Sequence, residues 1–176
     1  MKNEEIKKKW DEIEKELEKV HENWNVFQVE GQKKGASKDA EDKFETAFNK
    51  MTKAVEAENI PQIYDYASQA INNLKPLFDL YQEEIGGDVS TLKYAAYQGY
   101  LRAIQGDIST AKKVLSNKEE SINKIRLKLR KDEEKQKLDL VQMALVDFSN
   151  SLEEDSKRLF MIKKDILLKN LESLTK

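Results

Sequence analysis

The chain contains no cysteine in 176 residues, which excludes a disulfide scaffold, thiolate zinc sites, thiol catalysis and attachment of c-type haem. It has two prolines and six glycines, so breakers of helices are scarce. Only one histidine is present. A nucleophilic triad would have to use it as base, and no Gly-x-Ser-x-Gly turn exists to expose a serine. No apolar run reaches the ~18 residues that a membrane-spanning helix needs. The opening stretch MKNEEIKKKW is too charged for a signal peptide, so an exported protein would carry its signal upstream. There is no excess of charge of one sign: 31 Lys+Arg stand against 33 Asp+Glu, a net charge of -2. Nucleic-acid binding needs a clustered basic face, and the dense run KIRLKLRKDEEKQK alternates in sign like a solvated helix surface. The glycines form neither a phosphate loop nor a dinucleotide fingerprint. GQKKGAS places two lysines ahead of a helix N-terminus, where an anion can sit, but it lacks Walker spacing and reads as a capped loop.

What is present is charge and apolar periodicity. Charged residues make up 36% and apolar ones 39%, the composition of long solvated helix faces. Ile6, Trp10, Ile13, Leu17, Val20, Trp24 and Phe27 recur at alternating four- and three-residue steps, which predicts a long amphipathic first helix with a coiled-coil-like seam. Gly31 is expected to follow its end, and Ser37 or Asp39 to cap a second helix with Ala40, Phe44, Ala47, Phe48, Met51 and Val55 inward. Pro61 suits the first turn of a third helix, whose stripe runs from Ile63 through Leu74 and Leu77 to Ile85. Pro76 lies inside that stripe and predicts a kink. GGDVS should stop the helix, with Asp88 or Ser90 capping the next. Gly99, Gly106, Ala111 and Leu115 fall at the spacings of one tetratricopeptide-type hairpin: Gly99 permits close approach, Gly106-Asp107 turns and caps, and Ala111 packs near Gly99. No 34-residue period recurs, so the peptide-binding role of such arrays is not transferred.

Ile122, Ile125 and Leu129 continue the stripe past Leu115, and residues 130–137 contain no apolar side chain. A new seam then joins Leu138, Val141, Leu145, Phe148, Leu152, Leu159, Ile162 and Ile166, with Asp155 the interruption. The two seams are out of phase, and one helix across both would run ~100 Å. A break within 130–137 is expected. The fold class is therefore all-α, an antiparallel bundle of five to six helices over a single domain, residues 1–176. The first and last helices are long and pack together.

Two constellations bear on chemistry. Glu18 and His21 have the Glu-x-x-His spacing of di-iron and di-manganese bundles. Such sites need a second Glu-x-x-His, and the seam directs Leu17, Val20, Trp24 and Phe27 inward while Glu18 faces out. We read the stretch as core, with Trp24 buried and no metal ligand. Tyr64, Tyr66, Tyr81, Tyr94, Tyr97 and Tyr100 concentrate the tyrosines in one part of the chain. Tyr64, Tyr81, Tyr94 and Tyr97 are the candidate ligand or partner cleft, since tyrosine offers apolar area and a polar tip. No catalytic residue, cofactor or metal is expected, and the chain is read as no enzyme.

Over WNVFQVEGQKKGASKDAEDKFETAFNKMTKAVEAENI, through Trp24, Phe27, Gly35-Ala36 and the Phe44/Phe48 helix, and again at GDISTAKKVL, the sequence resembles helical ectodomains of predicted lipoproteins of Gram-positive anaerobes. The resemblance implies a helical bundle tethered outside the cell through a lipidated cysteine upstream. It implies no activity and no ligand motif. The leading expectation is a non-enzymatic binding or structural domain of an extracytoplasmic lipoprotein, with an unknown protein or small ligand as partner. The alternative is a cytoplasmic interaction module pairing through its coiled-coil-like seams, and an aromatic-cleft carrier of small ligands ranks third.

Overall fold

Turn residues set where the helices end. A computed structural model describes residues 2–81 and 84–175, with side chains from Glu4 onward. Among the described residues 84% are helical and none is in a strand. Nine helical segments follow one another among these residues: α1 (Lys2–Lys33), α2 (Lys38–Glu56), α3 (Ile60–Asn73), α4 (Lys75–Phe78), α5 (Gly86–Ile104), α6 (Ile108–Leu115), α7 (Glu119–Lys128), α8 (Asp132–Ser151) and α9 (Lys157–Leu174). Seven of them exceed eight residues, more than the five to six expected.

The caps explain most boundaries. Ser37 Oγ accepts from the Ala40 N–H at 3.2 Å, Asn59 Oδ1 from Gln62 at 3.2 Å and Asp107 Oδ1 from Thr110 at 3.0 Å. Each satisfies one of the donors that a helix start leaves open. Left-handed residues stop four helices: Gly35 (φ 92°) after α1, Glu58 (φ 49°) after α2, Gly106 (φ 86°) after α5 and Asn117 (φ 56°) after α6.

Several expected boundaries move. α1 runs through Gly31 to Lys33. A side chain at Gly31 would come within 3.0 Å of the Phe27 ring, so that glycine makes room rather than ending the helix. At Pro76 the helix is broken into α3 and α4, although Leu74 between them keeps right-handed angles (φ -73°, ψ -17°). GGDVS begins α5 instead of preceding it, and Asp88 and Ser90 are buried within it rather than capping it. Asp88 meets Lys75 Nζ at 3.4 Å, and Ser90 Oγ donates to the Gly87 carbonyl at 2.8 Å. The stripe from Leu115 to Ile122 is interrupted at Asn117. The break expected in 130–137 is confined to residues 129–131, and most of that polar run forms the first turns of α8, where Glu134 accepts from the Lys131 N–H at 3.3 Å.

The final seam divides too. Ser151 ends α8 and Ser156 caps α9. The loop shifts the helical phase, so Ile162 and Ile166 face out (41% and 44% exposed) while Phe160, Leu167, Leu171 and Leu174 face in. The expected long last helix is thus an α8–α9 hairpin. α9 lies on α8 and α5, and α1 leans on α2, so the first and last helices do not form the expected pair.

Two cores result. The larger gathers Leu92, Ala95, Ala96, Ile125, Leu138, Val141, Phe148, Leu167 and Leu171 from α5 and α7–α9. The smaller gathers Trp24, Phe44, Phe48, Ala70 and Leu77 from α1–α4. α5 is the hub, packing on α3, α4, α6, α7 and α9. Its approach to α6 depends on Gly99, where a Cβ would lie 2.9 Å from Leu115 Cγ. Leu115 occupies the space that Gly99 leaves, and Ala111 on the same helix is fully buried.

Candidate functional site

His21 is half-buried on α1. Its Nε2 lies 3.0 Å from Thr52 Oγ1, and its ring centroid is 4.2 Å from that of Phe48. Thr52 donates its one hydroxyl proton to the Phe48 carbonyl at 3.1 Å. The His21–Thr52 hydrogen bond ties α1 to α2. Glu18 is exposed. Among the described residues no group of three His, Asp or Glu converges as a metal site would require.

The junction between the two cores is polar where the cores are not. On α5, Gln98 is buried and donates from Nε2 to Asp65 Oδ1 at 2.7 Å and to Ser68 Oγ at 2.9 Å on α3. One turn away, Tyr64 of α3 meets Tyr97 and Tyr100 of α5 at centroid distances of 5.9 and 5.4 Å. Lys164 of α9 enters this cluster with only 4% exposure. Its Nζ lies 3.2 Å from Tyr64 Oη, 2.9 Å from Asp165 and over the Tyr64 and Tyr100 rings at 5.1 and 4.7 Å.

Burial works to lower the Lys164 pKa, but the hydrogen bonds to Asp165 and Tyr64 outweigh it and hold the ammonium above the ordinary lysine range. Burial pushes the Tyr97 phenol up, and burial followed by the neighbouring Tyr64 does the same to Tyr100. A lysine nucleophile needs the opposite shift. The cluster is chemically a pinned cation with neutral phenols, a lock between α9, α3 and α5.

Of the four tyrosines expected to form one cleft, the structure brings together Tyr64 and Tyr97. Tyr94 is half-buried on α5 near Tyr97. Tyr81 lies elsewhere, under the Lys34 ammonium at 4.5 Å. There it helps line an open cleft of ≈ 410 Å³ between α1, α2 and the α3–α4 bend. Trp24, Phe27, Phe44, Leu77 and Phe78 form most of its wall, and Asn23, Tyr81 and Glu84 supply polar groups. The aromatic wall is continuous, with Trp24 5.4 Å from Phe27 and 4.2 Å from Phe44. Trp24 is buried as expected, and its Nε1 has no hydrogen-bond partner. Sequence reasoning identified Trp24, Phe27 and Phe44 as core. It missed Phe78, which the stripe through Leu74, Leu77 and Tyr81 passed over and which lies beyond the α3–α4 break.

Further along α1 much of the seam is uncovered, with Leu17 half-buried against the smaller core. Ile6, Ile13 and Val20 are 48%, 42% and 42% exposed, and a second apolar groove of ≈ 490 Å³ runs between this seam and Met51, Val55 and Ile63. No helix among the described residues is long and apolar enough to cross a membrane. No protein family, curated protein or solved structure matches the chain.

Proposed function

We propose that the chain is a non-enzymatic helical binding domain whose ligand seat is the aromatic cleft beneath α1. The supporting observation is the cleft itself: an aromatic and aliphatic wall left open over ≈ 410 Å³, within the range of small-molecule sites and lined as they are. Its occupant is a small, mostly apolar molecule, with Asn23, Tyr81 and Glu84 orienting whatever polar group it carries.

The test uses a Trp10→Phe background, so that Trp24 is the sole indole, and the neutral probe N-phenyl-1-naphthylamine. Saturable binding with energy transfer from Trp24 is the expected result. Phe78→Ser should weaken it at least about tenfold, the loss of roughly 1.4 kcal/mol or more, with helical circular dichroism unchanged. A flat titration in the parent protein overturns the reading. The resemblance to lipoprotein ectodomains supports placing the domain outside the cytoplasm on a lipidated cysteine. The reading frame ahead of Met1 tests this: an apolar leader ending in cysteine is expected, and a natural start at Met1 refutes it.

A further inference from the structure

The uncovered part of α1 carries a second pattern beside its apolar seam. Ile6, Trp10, Ile13 and Leu17 occupy the positions that meet a partner in a two-helix coiled coil, Leu17 being half-buried where the seam joins the smaller core, and the residues flanking them are Lys7, Lys9, Glu14 and Glu16. All four flanking residues are exposed. The flanks are thus basic in one heptad and acidic in the next, and such flanking charges set partner and orientation.

We infer that two copies of this chain pair antiparallel through the N-terminal half of α1, about a two-fold axis passing between Asp11 and Glu12. This stands apart from the cleft and does not require it to be occupied. In that register Ile6 of one copy packs on Leu17 of the second, and Trp10 on Ile13, giving four layers by symmetry. The same register sets Lys7 against Glu14 and Lys9 against Glu16, four complementary contacts in all. A parallel pair would stack Trp10 on Trp10 and keep only the two Lys9–Glu14 contacts. Charge complementarity therefore selects both the partner and the direction. Glu16 gives up little in pairing, because its contact with Lys19 is an exposed one at 2.6 Å. The groove bordered by Met51, Val55 and Ile63 widens the apolar landing for the second helix. Four layers make a small interface, so association in the ~micromolar range follows.

Light scattering and sedimentation over a concentration series test this at low salt. The mass should rise from 20.5 kDa toward twice that value by about 200 μM, well above a ~micromolar dissociation constant. Lys7→Glu with Lys9→Glu should weaken the dimer at least tenfold, as should Glu14→Lys with Glu16→Lys. Combining all four substitutions should restore it. Ile13→Asp should abolish it while leaving the helical spectrum and urea midpoint of the monomer intact. Because the chain has no cysteine, a short bis-maleimide reads the direction: a mixture of Lys7→Cys and Glu14→Cys chains should cross-link, and a mixture of Lys9→Cys and Glu14→Cys chains should not. A monomer at every concentration overturns the inference. So does a dimer indifferent to charge reversal, or the reverse cross-linking pattern.

Discussion

α1 and α5 make an instructive pair. α1 has the longest unbroken run of alternating four- and three-residue apolar steps, yet among its described residues Trp24 is the only large side chain that is buried. α5 has a far less regular pattern, and it buries Val89, Leu92, Ala95, Ala96, Leu101 and Ala103 along with Asp88, Ser90 and Gln98. Periodicity reports that a helix has one apolar face. The number of close neighbours decides how much of the helix is buried, and α5 packs closely on five helices where α1 packs chiefly on α2. A hub helix surrounded in this way needs small residues and satisfied polar groups more than it needs a stripe.

The contrast can be broken by substitution, in descending order of effect. Phe148→Ala, in the large core at 0% exposure, should cost ~3–5 kcal/mol in urea unfolding. A loss near that of a surface site would mean that the α5–α9 core is not the cooperative unit. Gly99→Ala forces a methyl to within 2.9 Å of Leu115 Cγ and should cost ~1–3 kcal/mol. Its cost in a Leu115→Ala background should be smaller, which a double-mutant cycle would measure. Gln98→Ala leaves Asp65 and Ser68 without their shared donor and should cost ~1–3 kcal/mol. Hydrogen exchange should show the extra opening concentrated at the α3–α5 contact.

The Lys164 lock gives a pH-dependent effect. Its raised pKa means that the fold favours the ammonium. That contribution is complete below the unfolded lysine value of ~10.4 and is lost as pH rises through the higher folded value. Tyr97 and Tyr100, raised by burial, act with the same sign, because their neutral forms are the ones the fold holds. Urea midpoints should therefore fall on the alkaline side, and fall less steeply in Lys164→Met. A parallel fall in both proteins would remove Lys164 from the account. The smallest effect belongs to α1: Ile13→Ala, 42% exposed, should change monomer stability by no more than ~0.5 kcal/mol.

The all-α class and the inner faces of α2 and α8 were legible in the sequence because each depends on spacing within one helix. Phe44, Phe48, Leu138, Val141 and Phe148 are all buried. What failed depended on loops. Residues 152–156 contain no glycine or proline, so nothing but Asp155 marked the break, and the phase was carried past it onto Ile162 and Ile166. Asn117 hid a left-handed turn that any Asn can supply without announcing it. The candidate tyrosines were gathered by sequence proximity. Tyr81 follows the α3–α4 bend and parts from Tyr64 and Tyr97. Lys164, 100 residues from Tyr64, carried no local signal at all, since a buried lysine and a surface lysine are written alike.

The length of α1 has a mechanical consequence. Trp24, His21 and Leu17 hold its C-terminal half against α2 and the smaller core. From Leu17 to its first turn the helix extends ~20 Å at 1.5 Å per residue, an arm held at one end. A tilt of about 10° at that contact moves the tip by ~3.5 Å, more than two residues of helical rise. A small shift of α1 against α2 is therefore magnified at the tip.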